Sequence, residues 1–178
     1  MTIVNTSKYG EFKLLNDERQ EIAFVTYPNY VPQRAHIEMG HSKIDIKMQL
    51  SWSKFFSFLL SRSKVYEIIK DGQAKGEILL DETSGVLKVG WNDQMPDQQT
   101  KYAIEVLRDD GPSHSLGLYD ENNQKIMLAH NDFFLFQMEE EVELKVLSNN
   151  LEQDQLEELA VYFVQISKMF ETNIGTHM

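Results

Sequence analysis

The chain has 178 residues, of which 42% are hydrophobic and 25% are charged, and its formal net charge is -11. This length and composition suit one folded domain with a proper core. The negative charge argues against nucleic acid as a general partner, because neutralising phosphates requires basic residues. The absence of cysteine excludes disulfides and thiol catalysis, and it fits a reducing compartment.

The N-terminal part of the sequence predicts β-strands. The first two are weakly patterned and cover Phe12–Leu15 and Ile22–Tyr27. A stronger strand follows, because apolar residues alternate with polar ones at Ile44, Ile46 and Met48. Such alternation is typical of an antiparallel strand with one face on a core.

Residues 51–62 break this alternation. The apolar residues Trp52, Phe55, Phe56 and Leu59 recur there at helical spacing, with serines and a lysine between them. This pattern predicts a short amphipathic helix near residues 52–62.

Beyond residue 64 the period-two pattern returns, and turn sequences such as Asp71-Gly72 and Asp120–Asn123 separate the strands. Such turns predict successive hairpins. The predicted strands are Val65–Lys70, Gly76–Leu80, Val86–Trp91, Tyr102–Val106, Ser115–Tyr119, Lys125–His130, Phe133–Met138 and Val142–Val146. Without alternating helices, this predicts a mainly β domain, a barrel or a sandwich of about 10–12 short strands.

The C-terminus predicts a helix over about Leu151–Phe170. Asn150 is the expected capping residue, paired with Gln153. Residues Leu159–Val164 are apolar on every side of the helix, whereas a surface helix shows only an apolar stripe, so this helix should be enclosed. We expect one domain over residues 1–172 and a disordered tail over 173–178.

Many short strands followed by one enclosed helix resemble the tubby C-terminal-like group, which includes tubby, the LURP-one-related proteins and the phospholipid scramblases. Lys64–Gly72 followed by Gly76-Glu77-Ile78, and Leu118–Asn122 followed by Lys125-Ile126, look like hairpins of that group. The resemblance, to a small bacterial-type member, covers nearly the whole chain. It implies a closed antiparallel β-barrel around a central C-terminal helix, and a binding role at membranes. The basic phosphoinositide-binding residues of tubby have no match here, and the calcium-binding and cysteine-rich segments of the scramblases are missing.

One surface patch is the sharpest candidate for a binding site. It combines aromatic and leucine side chains with cations: Trp52, Lys54, Phe55, Phe56, Phe58, Leu59, Arg62 and Lys64. Residues 43–75 hold seven basic and three acidic residues, which makes this stretch basic in an acidic chain. Apolar groups that enter the acyl boundary beside cations that meet anionic head groups are typical of interfacial segments. In the alternative interpretation, the same apolar face packs on the barrel.

Motifs of catalysis and metal binding are missing from the sequence. The histidines, among them His36 and His41, are not spaced as ligands on one helix or strand face. Asp120-x-Asn122 opens like a calcium loop, but the glycine and the bidentate glutamate of that loop are absent. Neither a nucleophile motif nor a phosphate-binding glycine loop occurs. We therefore expect no cofactor and no metal.

The leading hypothesis is a non-enzymatic cytoplasmic binding domain that contacts a membrane surface, a lipid head group or a protein through the patch. It would be cytosolic or peripheral to a membrane. The alternative is a structural or interaction module that forms a homodimer through the same patch. A third hypothesis is an enzyme with its site at the barrel rim, which requires a concave cluster of titratable groups.

Overall fold

A computed structural model of the chain describes residues 1–6, 11–28, 34–48, 63–81, 86–89, 102–108, 114–129, 141–148 and 151–175. Within them lie twelve β-strands and one α-helix. The strands are β1 (Thr2–Asn5), β2 (Phe12–Leu15), β3 (Glu21–Thr26), β4 (Arg34–Met39), β5 (Ser42–Met48), β6 (Ser63–Lys70), β7 (Gln73–Asp81), β8 (Val86–Val89), β9 (Tyr102–Arg108), β10 (His114–Asp120), β11 (Lys125–Ala129) and β12 (Glu141–Val146). The helix, α1, spans Gln153–Gly175. The mainly β fold with one C-terminal helix is confirmed.

All twelve strands form one antiparallel sheet in the order β7-β6-β5-β4-β3-β2-β1-β12-β11-β10-β9-β8. The sheet is not closed into a barrel, so the prediction of a closed barrel is wrong in this respect. In the part of the chain that the structure describes, β7 pairs with β6 and β8 pairs with β9. Cα atoms of β7 and β8 approach within 8 Å, but no ladder joins the two strands. Alternation in a sequence shows which face of a strand is buried, but it does not show which strand edges pair. The sequence pattern therefore could not distinguish a closed barrel from an open sheet.

The core face of the sheet follows the period-two pattern. On β4 and β5, Ala35 lies opposite Ile46 and Ile37 lies opposite Ile44, and all four side chains are buried. The residues between them, such as His36, point to the outer face. A one-residue slip would turn the apolar set outward, so burial fixes this register.

Helix α1 is enclosed, as its sequence predicted. Every residue from Val161 to Ser167 is at most 1% exposed. Successive helical residues point about 100° apart, so seven consecutive buried residues mean that protein surrounds the helix on all sides. Each buried large apolar side chain contributes about 1.5–3 kcal/mol, which makes this helix the centre of the core.

Two polar contacts show in which direction α1 runs across the sheet. Near its start, Glu158 Oε2 accepts a hydrogen bond of 2.7 Å from Lys70 Nζ at the end of β6. Further along, Lys168 Nζ donates to Asn5 Oδ1 at the end of β1, over 2.9 Å. Because these strand termini lie at opposite ends of the sheet, the helix runs from one end to the other.

Tight turns gather at the end where α1 begins, which we call the turn end. Asp71 and Gly72 have φ values of 52° and 80°, so they form the two-residue hairpin turn that the sequence predicted. The turns at Asn16 and Asp120 are alike. In each, the side-chain Oδ1 accepts hydrogen bonds from the backbone N–H groups two and four residues later, over 2.8–3.0 Å.

Some predicted elements differ from the structure. Strands β1 and β4 were not predicted. β1 is only four residues long, whereas Arg34–Met39 does carry the alternation of polar and apolar residues and was overlooked. Helix α1 begins later than predicted, because Leu156 N donates to Glu152 O, which places Glu152 and not Asn150 at the cap position. It also runs on to Gly175, beyond the predicted end at Phe170. The predicted helix near 52–62, the predicted strand Phe133–Met138 and residues 176–178 lie outside the described residues.

Candidate functional site

The basic and aromatic patch predicted from the sequence lies mostly outside the described residues. Seven of its members fall in residues 49–62, which are not described: Trp52, Lys54, Phe55, Phe56, Phe58, Leu59 and Arg62. The eighth, Lys64, belongs to β6, where its backbone pairs with Leu80, and its side chain is not described. The structure therefore does not test whether these residues form one surface.

The strands that flank residues 49–62 are described, and they end on the side of the sheet opposite the turn end. Met48, the last residue of β5, is 37% exposed. On the neighbouring pair β6 and β7, Val65 lies opposite Leu79, which is 38% exposed. The patch thus joins the sheet beside large apolar side chains that meet solvent.

Two cations lie side by side at the same place. Arg34 on β4 and Lys47 on β5 are register partners, and both side chains are exposed on the outer face. The Lys47 Nζ is 3.7 Å from a carboxylate oxygen of Glu67, a loose contact for an ion pair. Like charges directly opposite each other on neighbouring strands repel, and Glu67, the register partner of Lys47 on β6, offsets part of this repulsion.

A concave site lies at the turn end, where the β10–β11 turn, the residues after β12 and the start of α1 meet. It is an open cleft of about 420 Å³. Tyr102, Ile126, Leu147 and Leu151 supply its apolar surface. Its charged lining residues are Asp120, Glu121 and Lys125, of which Glu121 is exposed and the other two are half-buried. The volume falls in the range of small-ligand sites, roughly 300–1,000 Å³.

Backbone hydrogen bonds hold the two sides of this cleft together. The N–H groups of Leu147 and Ser148 both donate to the carbonyl oxygen of Ile126, over 2.8 and 3.3 Å. Leu147 is nevertheless 50% exposed, because its backbone is fixed beside β11 while its side chain projects into the opening.

The Asp120 carboxylate shapes the cleft wall. Its Oδ1 accepts the N–H groups of Asn122 and Gln124, so this oxygen closes the turn. Asn123 takes the left-handed conformation, with φ of 61°, that the turn requires. Among the residues that the structure describes, no group of three or more acidic or histidine side chains could hold a metal ion.

Lys125, at the edge of the cleft, also lies near an aromatic ring. Its ammonium lies 5.6 Å from the centre of the Tyr119 ring, on the face of β10 opposite the core residue Leu118. The Tyr119 ring in turn lies against the backbone of Gly117, because a Cβ built on that glycine would stand 2.8 Å from a ring carbon. These three residues form a stack outside the sheet.

The described histidines do not form a site together. His36 on β4 pairs with Asp45 on β5, its register partner, and the two side chains are 47% and 48% exposed. His41 lies in the turn between these strands, on the exposed surface. Both positions are ordinary for an outer sheet face.

The clearest pKa displacement belongs to an ion pair on the outer surface. Arg19, in the turn after β2, donates to both carboxylate oxygens of Glu141 on β12. This hydrogen bond lowers the pKa of Glu141 and raises that of Arg19. The pair ties a turn to a strand that is distant in the sequence and lies away from the cleft.

Sequence reasoning missed the cleft because its residues come from three segments that only the fold brings together. One local signal was the Asp120-x-Asn122 turn, which opens like a calcium loop but lacks the glycine and the bidentate glutamate of that loop, so no site was predicted there. A hydrophobic residue just after a strand, such as Leu147, was a second signal.

No protein-family model, no curated protein and no solved structure matches the chain. Among the described residues, no helix is both long and apolar enough to cross a membrane.

Proposed function

We propose that the chain is a binding domain without enzymatic activity, which contacts an anionic membrane surface through the patch at residues 52–64. The observation that supports this most is the filled interior. Helix α1 occupies the concave side of the sheet with side chains that are buried all round, so the binding surface belongs on the outside of the molecule.

The exposed pair Arg34 and Lys47 supports an anionic partner. Two repelling cations on adjacent strands gain free energy when a phosphate or carboxylate oxygen lies between them, and an Arg side chain can bind such a group with two hydrogen bonds. Their position beside Met48 places the charges where the patch leaves the sheet. The apolar residues of the patch would enter the membrane interface while these cations meet head groups.

Membership of the tubby-like group remains part of this proposal. The central enclosed helix and the antiparallel hairpins support it, and the open edge between β7 and β8 departs from the closed barrel of that group. An experimentally determined structure tests it: α1 should superpose on the central helix of the group together with the surrounding strands. A different strand order around the helix would contradict it.

Vesicle co-sedimentation tests the membrane contact. We expect binding to vesicles of phosphatidylcholine with phosphatidylserine and weaker binding to phosphatidylcholine alone. Each of the substitutions Arg34→Gln and Lys47→Gln should weaken vesicle binding about fivefold. The variant that carries both should bind more weakly than either single variant. Phe55→Ser with Phe56→Ser should abolish binding, because the apolar anchor is lost.

The matched control is Lys75→Gln with Lys145→Gln, which removes two exposed charges elsewhere. If this control loses as much binding as the Arg34 and Lys47 variant, the contact is not local to the patch. Failure of the unmodified protein to bind either kind of vesicle contradicts the proposal. Light scattering that shows a dimer, dissociated by the Phe55 and Phe56 substitutions, would assign the patch to self-association instead.

A further inference from the structure

We propose that the cleft at the turn end binds a small primary amine that carries an apolar group. The cleft lies at the turn end, whereas Met48 and Ser63, the described residues on either side of 49–62, lie at the opposite end of the sheet. The proposal rests on three properties of the cleft: its size, its exposed apolar wall and the net negative charge of its lining residues.

The apolar wall of the cleft is the reason to expect an apolar group on the ligand. Leu147 is 50% exposed and Leu151 is partly exposed, and Tyr102 and Ile126 lie beside them. An exposed leucine at the opening of a cleft leaves apolar surface in water, and an apolar group of a ligand would cover it.

The charge selects an amine. Three charged residues line the cleft, Asp120, Glu121 and Lys125, so the two carboxylates outnumber the one ammonium. The ammonium of Lys125 lies 5.6 Å from the centre of the Tyr119 ring. One carboxylate oxygen of Asp120 is used by the turn. Asp120 and Lys125 are half-buried, whereas Glu121 is exposed, so the Glu121 carboxylate is the most accessible of the three charged groups. The net charge of -11 also attracts cations to the molecule before they bind.

The test is titration of the isotopically labelled protein with phenethylamine, followed by NMR shifts of the backbone amides. We expect saturable shifts at Glu121, Leu147 and Leu151 at concentrations up to about 10 mM, as suits a ligand of this size. Phenylethanol, which lacks the charge, should bind about fivefold more weakly. Phenylpropionate, which has the opposite charge, should bind more weakly still.

Two variants locate the binding site. Glu121→Gln should weaken phenethylamine binding about fivefold by removing the carboxylate charge. Leu147→Ser should weaken it by a similar factor by removing the apolar contact, and the substitution should not unfold the protein because this side chain is half exposed. Control variants Glu38→Gln and Leu79→Ser make the same changes at exposed positions away from the cleft.

Equal affinity for phenethylamine and phenylethanol would overturn the amine assignment. Saturable shifts that neither Glu121→Gln nor Leu147→Ser changes would overturn the site. The absence of any saturable shift would overturn the proposal as a whole. None of these outcomes depends on vesicle binding, so the membrane proposal stands or fails by itself.

Discussion

Glycine at position 117 shows how one residue shapes a strand surface. A side chain there would occupy the space of the Tyr119 ring, which lies along β10 and is 9% exposed. The ring covers the glycine, and the ammonium of Lys125 lies 5.6 Å from the ring centre. The absence of a Cβ therefore makes a flat aromatic surface possible on the outer face of the sheet.

Substitution of this glycine by alanine should force the ring of Tyr119 to move. We expect Gly117→Ala to lower the free energy of unfolding by about 1–3 kcal/mol, the usual cost of overpacking. Urea denaturation measures this change. In a Tyr119→Ala background, where no ring opposes the new methyl group, the same substitution should cost much less. An equal cost in both backgrounds would show that the ring is not the cause.

The ion pair between Arg19 and Glu141 predicts a pH effect with a definite sign. The pKa of Glu141 is lowered by its hydrogen bond from Arg19, so the carboxylate form is favoured in the folded protein. Its stabilisation is present above the pKa of an unfolded Glu, about 4.3, and is lost as the pH falls through the lower folded pKa. NMR titration of Glu141 should show its pKa rise in Arg19→Gln. An unchanged pKa would exclude the pair as the cause.

At the scale of elements, α1 is held by both packing and polar contacts. Its buried Gln165 accepts a hydrogen bond of 2.9 Å from the hydroxyl of Tyr27, across the core. Near the turn end, Glu158 binds Lys70 and also accepts from Tyr162 one helical turn later. These contacts fix the rotation and depth of a helix whose apolar surface alone would tolerate several orientations.

Loss of this helix should abolish folding. We expect a chain truncated after Asn150 to show no cooperative unfolding transition by circular dichroism, because the concave face of the sheet would meet water. The milder Phe163→Ala should cost about 3–5 kcal/mol, since a fully buried ring leaves a cavity. Gln155→Ala, at an exposed position of the same helix, is the control and should change stability little. A cooperatively folded truncation would contradict the role of α1.

At the scale of the whole molecule, the sequence predicted what depends on local pattern. Alternation identified strands such as β5 and β12, and the apolar run Leu159–Val164 identified an enclosed helix. The turn at Asp71-Gly72 followed from the positive φ that those residues accept. These properties are set by residues near each other in the chain, so the sequence alone sufficed.

What escaped prediction depends on distant segments. The open edge of the sheet, the pairing of β1 with β12 and the cleft at Leu147 arise only when remote strands meet. The basic character of residues 43–75 could be read from the sequence. That Arg34 lies opposite Lys47 could not, because it depends on the register between β4 and β5. A pattern along the chain cannot specify such a register between strands without knowledge of their pairing.

The pairing of β1 with β12 has a consequence for biosynthesis. Met1 N donates to the carbonyl oxygen of Leu144, 143 positions away, and the helix that fills the core follows later still. A ribosome therefore exposes most of the strands before the partner of the first strand and the interior of the core have emerged. Such long-range closure slows folding to the range of about milliseconds to seconds. Until α1 has formed, the apolar face of the sheet that this helix covers meets water.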